Sequence, residues 1–553
     1  MKKSGLKKYS YLLVPVLFLL FSAPSALDYV FHFPDEKYYT DAVLQMMDKN
    51  DCFTPYQANG SPRFKKPILT YWVLMGSYKM FGVSKISSRL FFWLAGAILV
   101  LVIYLMSKSI SGDKKIAFTA AFITAANPLV LMSASRSIPD ILLTLFLTIS
   151  AWGFIKILNT LKPRKEHFWM AYMGAALAFE TKGIPAAAFA GISILFLLFN
   201  PWKKKRLNQI FEPVSLIVSI LIAASWFIIM YIEHGSVYLN SFFADQVGNR
   251  VSSKFAQVFT NLFLGIVFLA AYLVPWIIII FSNPKALKQF TKKSSLQTKA
   301  VFGFILSWVV LVIVMSGAVF KFYDRYLLPV IPLISIFFAY VISFSTTHLK
   351  KLIFKIFLVI NLFVIGISVF YTFFIYFDKV LFAGILVNAA LIIYWIIGRL
   401  KNINYETKLA GTILLLFFNV FSFLYPLLMP NPGEQLVENL IKQGLSKNEK
   451  VYVYGNIRTA SNIRIHSKND FNVVSMDTIY SLPEEPKHFL VFSKKEESFL
   501  DLKNYNVIIG SEEWKNVDND KFPVFLQEPV NDLKESGTKY FIAKPKNKNE
   551  KSR

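Results

Sequence analysis

Apolar residues in this chain gather into long blocks separated by short polar connections rich in lysine. A block of about 18 or more apolar residues can cross the ~30 Å hydrocarbon layer of a bilayer as a helix. Helices are needed there because lipid offers no partner to a backbone amide or carbonyl. The pattern predicts spans near 10–27, 89–107, 116–133, 140–157, 168–180, 184–200, 210–233, 257–281, 300–317, 326–346, 353–376, 380–398 and 408–428. That is about thirteen helices, with boundaries good to a few residues. The blocks 168–180 and 184–200 are short for independent spans.

Two long stretches break the pattern. The first, 28–88, holds amphipathic segments at 38–48 and 67–82. Pro67 suits a helix start. Tyr71, Trp72, Tyr78 and Phe81 suit the boundary between lipid and water, so these helices are expected to lie on the membrane rather than cross it. The second begins at Pro430, Pro432 and Gly433, where composition turns polar. A helix over 434–443 with Leu436, Val437, Leu440 and Ile441 on one face is followed by short strand-like runs at 451–454, 472–475, 488–493, 506–509, 523–526 and 540–543. The expected fold is therefore an all-α polytopic membrane domain over 1–429 and a small α/β domain over 430–543. A Lys- and Asn-rich tail over 544–553 is expected to be disordered.

Composition fits this division. The chain is 55% hydrophobic and only 17% charged, with 54 Phe against 10 Trp. The net charge of +26 does not point to nucleic acid, because the excess Lys sits in connections between spans, where it sets orientation. Alternate connections carry 26 and 7 Lys plus Arg. The richer set, which includes Lys2, Lys3, Lys7 and Lys8, is expected on the cytoplasmic side. An odd number of spans then places 28–88 and the C-terminal domain outside. The basic start, apolar run and Ala23–Ala26 resemble a secretory signal, but a membrane-embedded chain follows, so an uncleaved first span is expected. The single Cys52 rules out an intrachain disulfide and a thiolate-rich zinc site.

Ionisable residues beside spans cost energy and ask for a reason. Several fall on the outer side: Asp35 and Glu36, Lys66 before Pro67, Asp140 after Pro139, Glu180 and Lys182, Arg250, and the run from Lys321 to Tyr326. Carboxylates can deprotonate an acceptor hydroxyl or amine. Cations can hold a phosphate and stabilise it as it leaves. For single residues, helix capping by Asp140 and snorkelling by Lys321 and Arg325 are the plain alternatives. Asp518, Asn519 and Asp520 mimic a metal-binding Asp-x-Asp pair but read as a solvated turn.

Pro34–Tyr39, then Phe64–Pro67 with Tyr71 and Trp72, then Arg89 and Leu90, resemble the amino-terminal signature of the fold-C (GT-C) glycosyltransferases. These are the membrane enzymes related to the aminoarabinose transferase of lipid A and to protein O-mannosyltransferases. Ser135–Asp140, Thr181–Gly183, Arg250 and Arg325–Pro329 follow in the same order, so the resemblance covers essentially the whole chain. It is most specific over 34–90. The resemblance implies a sugar moved from a polyprenyl-phosphate donor to a lipid (lipid A-like), glycan or protein acceptor at the outer face of the membrane. Lys-, Ile- and Phe-rich usage with a single Cys suggests a bacterium, whose plasma (inner) membrane is then the expected address. The resemblance also implies Asp35 as base or metal ligand, with Glu36 as its partner and Asp140 as the second acidic residue near the donor. Lys66 and Arg250 would bind the carrier phosphate, with Tyr326, Arg325 and Lys182 beside them. A divalent metal would fall to Asp35 and Asp140. Lys65 stands where relatives often place Glu, which argues against a metal and against aminoarabinose as the sugar.

Two other readings compete. A transporter or flippase predicts charges at mid-bilayer, broken helices there and internal repeats, whereas the charges here gather at span ends on one side and no repeat is evident. A scaffold for the outer domain leaves the clustered charges without purpose.

Overall fold

The structure is a computed structural model that describes residues 10–28, 35–58, 60–248, 255–345, 347–374, 382–390, 404–424, 432–455, 457–476, 481–482, 487–513 and 538–546. Among these residues, eight helices are long and apolar enough to cross a membrane. A ninth is reached if the helices Lys114–Ala125 and Pro128–Ala134, bent by 63°, count as one span. The bend has a local cause. Pro128 has no amide to continue the first helix, and the Asn127 side chain caps the second by accepting from Leu129 N. The predicted blocks 10–27 and 184–200 appear as the shorter apolar helices Leu13–Leu27 and Ile184–Phe199. The block 168–180 lies in the helix Lys165–Lys182. Only part of the block 380–398 lies among the described residues.

Proline and glycine set many of the helix ends. Pro139, Pro213 and Pro284 each stand at the start of a helix, where a missing amide costs nothing. Gly112 closes Lys85–Ser111 in the left-handed conformation. Gly235, at φ 62°, breaks the helix Pro213–Phe243 just after Glu233 and His234. Burial separates central from peripheral helices: Pro139–Asn159 is 78% buried, against 17% for Phe255–Tyr272, which turns Phe259, Phe263 and Ile266 outward. Such outward apolar rows suit contact with lipid tails.

One helix pair matters most for the site. Pro139–Asn159 and Lys165–Lys182 run back as an antiparallel hairpin, and two glycines let their backbones touch. A Cβ on Gly153 would lie 2.3 Å from Ala171 N, and one on Gly174 would lie 2.8 Å from Ser150 N. Small residues that allow such close approach are the usual basis of helix packing in lipid. This contact fixes the hairpin register, and with it what meets at the open end.

The first long interruption forms the predicted helices, Glu36–Asp48 and Leu69–Phe81. They share the large apolar core of the membrane helices through Tyr39, Val43, Ile68 and Tyr71. The C-terminal region holds the helix Pro432–Lys442 and five strands: β1 (Lys450–Tyr454), β2 (Asn472–Met476), β3 (Phe489–Ser493), β4 (Tyr505–Glu513) and β5 (Thr538–Pro545). Their order is β2-β1-β3-β5-β4, with β1 parallel to β2 and β3, and β5 antiparallel to β3 and β4. The helix Ile457–His466 connects β1 to β2, the crossover a parallel pair requires. The predicted run 523–526 and the Asp518–Asp520 turn lie outside the described residues. Residues 544 and 545, assigned to the tail from sequence, instead complete β5, and 547–553 lie outside the described residues.

Candidate functional site

At the open end of the hairpin, Asp140 in the first turn of one helix meets Lys182 in the last turn of the other. Lys182 Nζ donates to Asp140 Oδ1, and both side chains are buried. The glycine contacts deeper in the hairpin lie on the same register line, so close backbone packing sets this ion pair. Arg325 enters from the 3-10 turn Asp324–Val330. Its Nη2 lies 2.6 Å from Asp35 Oδ2, and its Nε lies 3.9 Å from Asp140 Oδ2. One guanidinium thus joins the two acidic residues that the sequence singled out. Arg325 is itself held: Asp324 Oδ1 accepts from Arg325 N at 2.8 Å, and Tyr272 donates to the other oxygen of Asp324. The Arg325 guanidinium also lies 4.7 Å from the centre of the Tyr323 ring.

Two more predicted residues join the cluster. Lys182 Nζ sits 5.2 Å from the centre of the Tyr326 ring. Lys66 is 7% exposed and within electrostatic reach of Asp140. Counted at neutral pH, Asp35, Asp140, Lys66, Lys182 and Arg325 sum to one positive charge. The carboxylates differ in access: 35% of the Asp35 side chain is exposed, against 4% for Asp140. Tyr39 forms part of the wall, its ring 5.1 Å from that of Tyr71. Burial, and then Tyr71, push its phenol well above the ordinary value, so it stays a neutral hydrogen-bond donor near neutral pH.

Glu36 does not share the position of Asp35. It begins its helix and turns away into a fully buried ion pair, accepting from Arg89 Nε at 2.9 Å and Nη2 at 2.8 Å. Its Oε1 also accepts from Ser137 N at 2.9 Å. Glu36 therefore ties the first interruption to the helix Lys85–Ser111 and to the loop that delivers Asp140. This changes the sequence expectation of a partner for Asp35, for a simple reason: neighbours on a helix point about 100° apart. Glu180 is also away from the cluster, buried beside Trp226 and Tyr238, and nothing in the structure explains a carboxyl there. Lys321 is exposed, its Nζ 5.3 Å from the Tyr323 ring centre. Arg250 lies outside the described residues. Arg89, Tyr39 and Asp324 were not singled out as site residues from sequence. Arg89 carried a signal, being a charge inside an apolar span.

A resident divalent ion does not fit this donor set. Asp35 and Asp140 already share Arg325, and Asp140 also binds Lys182. An added ion would meet these cations and Lys66 at close range, and among the described residues no group of three His, Cys, Asp or Glu is placed to hold it.

Comparison with known proteins bears on the fold. A family model described as dolichyl-phosphate-mannose-protein mannosyltransferase matches residues 65–230, which include Lys66, Asp140 and Lys182. The crystal structure of ArnT from Cupriavidus metallidurans bound to undecaprenyl phosphate superposes with a TM-score of 0.68, covering 98% of both chains at 14% identity. The chain therefore shares the fold of that structure. Among curated relatives, the undecaprenyl phosphate-alpha-4-amino-4-deoxy-L-arabinose arabinosyl transferase of Pectobacterium atrosepticum is 24% identical over 56% of this chain and 55% of its own length. An uncharacterized protein of Aquifex aeolicus is 29% identical over 44% of this chain and 47% of its own. The chain thus spans about half the length of the curated relatives it matches.

Proposed function

We propose that this chain is a GT-C enzyme that transfers a sugar from a polyprenyl-phosphate donor to an acceptor at the outer face of the membrane. The observation that carries the reading is the cluster in which Arg325 joins Asp35 to Asp140, with Lys182 and Lys66 beside them. The donor is a phosphodiester with one negative charge, which matches the single net positive charge of the five groups. Lys66, Lys182 and Arg325 hold its phosphate, with Tyr326 along the approach and Arg250 as a further contact. Asp35, the more exposed carboxylate, accepts the proton of the acceptor hydroxyl or amine as that atom attacks the anomeric carbon. The new glycosidic bond forms as the bond from that carbon to the phosphate oxygen breaks. Polyprenyl phosphate leaves with the bonding pair and a second negative charge, which the cations stabilise. One displacement inverts the anomeric carbon. Asp140 keeps Lys182 and Arg325 in place.

The membrane domain covers 1–429 in this reading, with thirteen spans, a cytoplasmic N-terminus and the 430–543 domain outside the plasma membrane. A lipid, a glycan and a protein are all acceptors of the required chemistry. A transporter has less support, because the charged groups close on one another at helix ends instead of lining a path. The test is turnover. Purified protein given an undecaprenyl-phosphate-linked sugar and bacterial envelope lipids is expected to release undecaprenyl phosphate over many cycles. No release from any lipid-linked sugar, across pentose and hexose donors, overturns the reading.

A further inference from the structure

The helix Glu36–Asp48, with Asp35 at its N-cap, is held at two places. Glu36 binds Arg89 of the membrane domain. Asp41 binds Arg464 of the helix Ile457–His466 in the C-terminal domain, with side-chain exposures of 2% and 5%. Five residues turn an α-helix through about 140° beyond a full turn, so the two anchors grip different faces. Asp41 is fully engaged: Arg464 Nη1 donates to its Oδ1, and Ser461 Oγ donates to its Oδ2 at 3.0 Å. Arg464 is fixed in turn by donating from Nη2 to the carbonyl of Val473, in β2, at 2.6 Å. The chain of contacts runs from the sheet through Arg464 and Asp41 to the helix that ends in Asp35.

Apolar packing fixes this junction only in part. Ile465 reaches the core of the membrane domain. Beside it, a cleft of about 330 Å³ opens between the helix and the domain, lined by Gln45, Asp48, Arg464, Asn448, Asn469 and Asn472. A polar, open seam leaves orientation to the buried ion pair, and buried pairs are best attested as devices of register rather than of stability.

We propose that the C-terminal domain positions Asp35 through the Asp41–Arg464 pair, which makes Asp41 and Arg464 positioning residues of the transfer reaction. This inference rests on the role given to Asp35 under the proposed function. Asp35 and Asp41 are about 9 Å apart along the helix, so a tilt at the second anchor moves the first. Misplacement by about 1 Å can cost on the order of 10²-fold in rate. The donor phosphate is held by Lys66 and Lys182, which lie off this helix, and by Arg325, which Asp140 and Asp324 hold as well as Asp35.

The experiment is a double-mutant cycle of Asp41→Asn, Arg464→Gln and the pair, with Ser461→Ala as a milder variant should either single fail to fold. Each single is expected to lower kcat by about 10- to 100-fold, with KM for the lipid-linked donor and binding of undecaprenyl phosphate unchanged. The pair is expected to be no worse than the worse single, and Ser461→Ala to lower kcat to a smaller extent. Amide exchange over residues 36–40 is expected to speed up in each. Wild-type kcat in all variants overturns the proposal, as does a loss that tracks the folded fraction. If Asp35→Asn is inert while the Asp41 and Arg464 variants are fully active, only the positioning inference falls. If Asp35→Asn is fully active, the role of Asp35 as base falls, and the positioning inference falls with it.

Discussion

Asp35→Asn is expected to reduce sugar transfer by about 10²- to 10⁴-fold, the range for removing a positioned general base. The substitution keeps the size of the side chain and one carbonyl oxygen for Arg325, but removes the group that takes the proton. Folding should survive it. The Asp35 side chain is 35% exposed, so water takes up part of the lost charge contact. Arg325 also retains Asp140. The expected pattern is therefore a collapse of kcat, a thermal midpoint within a degree or two of wild type, and near-normal binding of undecaprenyl phosphate. An active Asp35→Asn protein moves the base elsewhere.

Glu36→Ala is expected to do the reverse, with stability lost first. Glu36 and Arg89 are both fully buried, and four hydrogen bonds converge on this one carboxylate. Truncation leaves a guanidinium buried without its counter-charge, a loss of about 3–5 kcal/mol when one partner of a buried pair is removed. The thermal midpoint in detergent should fall by several degrees, and Arg89→Ala should fall by a comparable amount. Combining the two should cost less than the sum of the singles, because the second change removes the orphaned charge. A Glu36→Ala protein with an unchanged midpoint and no turnover would return Glu36 to the chemistry.

The sequence was most legible where a period repeats. Apolar blocks predicted the helices around the site, and alternation predicted β1 to β5 within a few residues, because burial acts on every turn and every pleat. Span count was less legible. Lys165–Lys182 and Ile184–Phe199, on either side of Gly183, are 18 and 16 residues long, at the edge of what length can decide. The acidic pair at 35 and 36 looked like one feature, and helix geometry divides it between a site and a scaffold. The Asp140–Lys182 contact depends on hairpin register, set by Gly153 and Gly174 in the middle of two apolar helices, where a glycine gives no sign of its partner. The Asp41–Arg464 pair joins residues 423 positions apart, a contact no local pattern announces.

The carrier phosphate is the centre of the account, and its binding is the most direct test. Undecaprenyl phosphate binding should be measured on purified wild type, on Lys66→Ala and on Lys66→Ala/Arg250→Ala. Wild type is expected to bind, the single variant to bind at least about tenfold more weakly, and the double variant to lose binding, since truncating one buried charged contact costs about 2–5 kcal/mol. Binding that is absent in wild type, or indifferent to both substitutions, contradicts the phosphate site and the transfer reaction built on it.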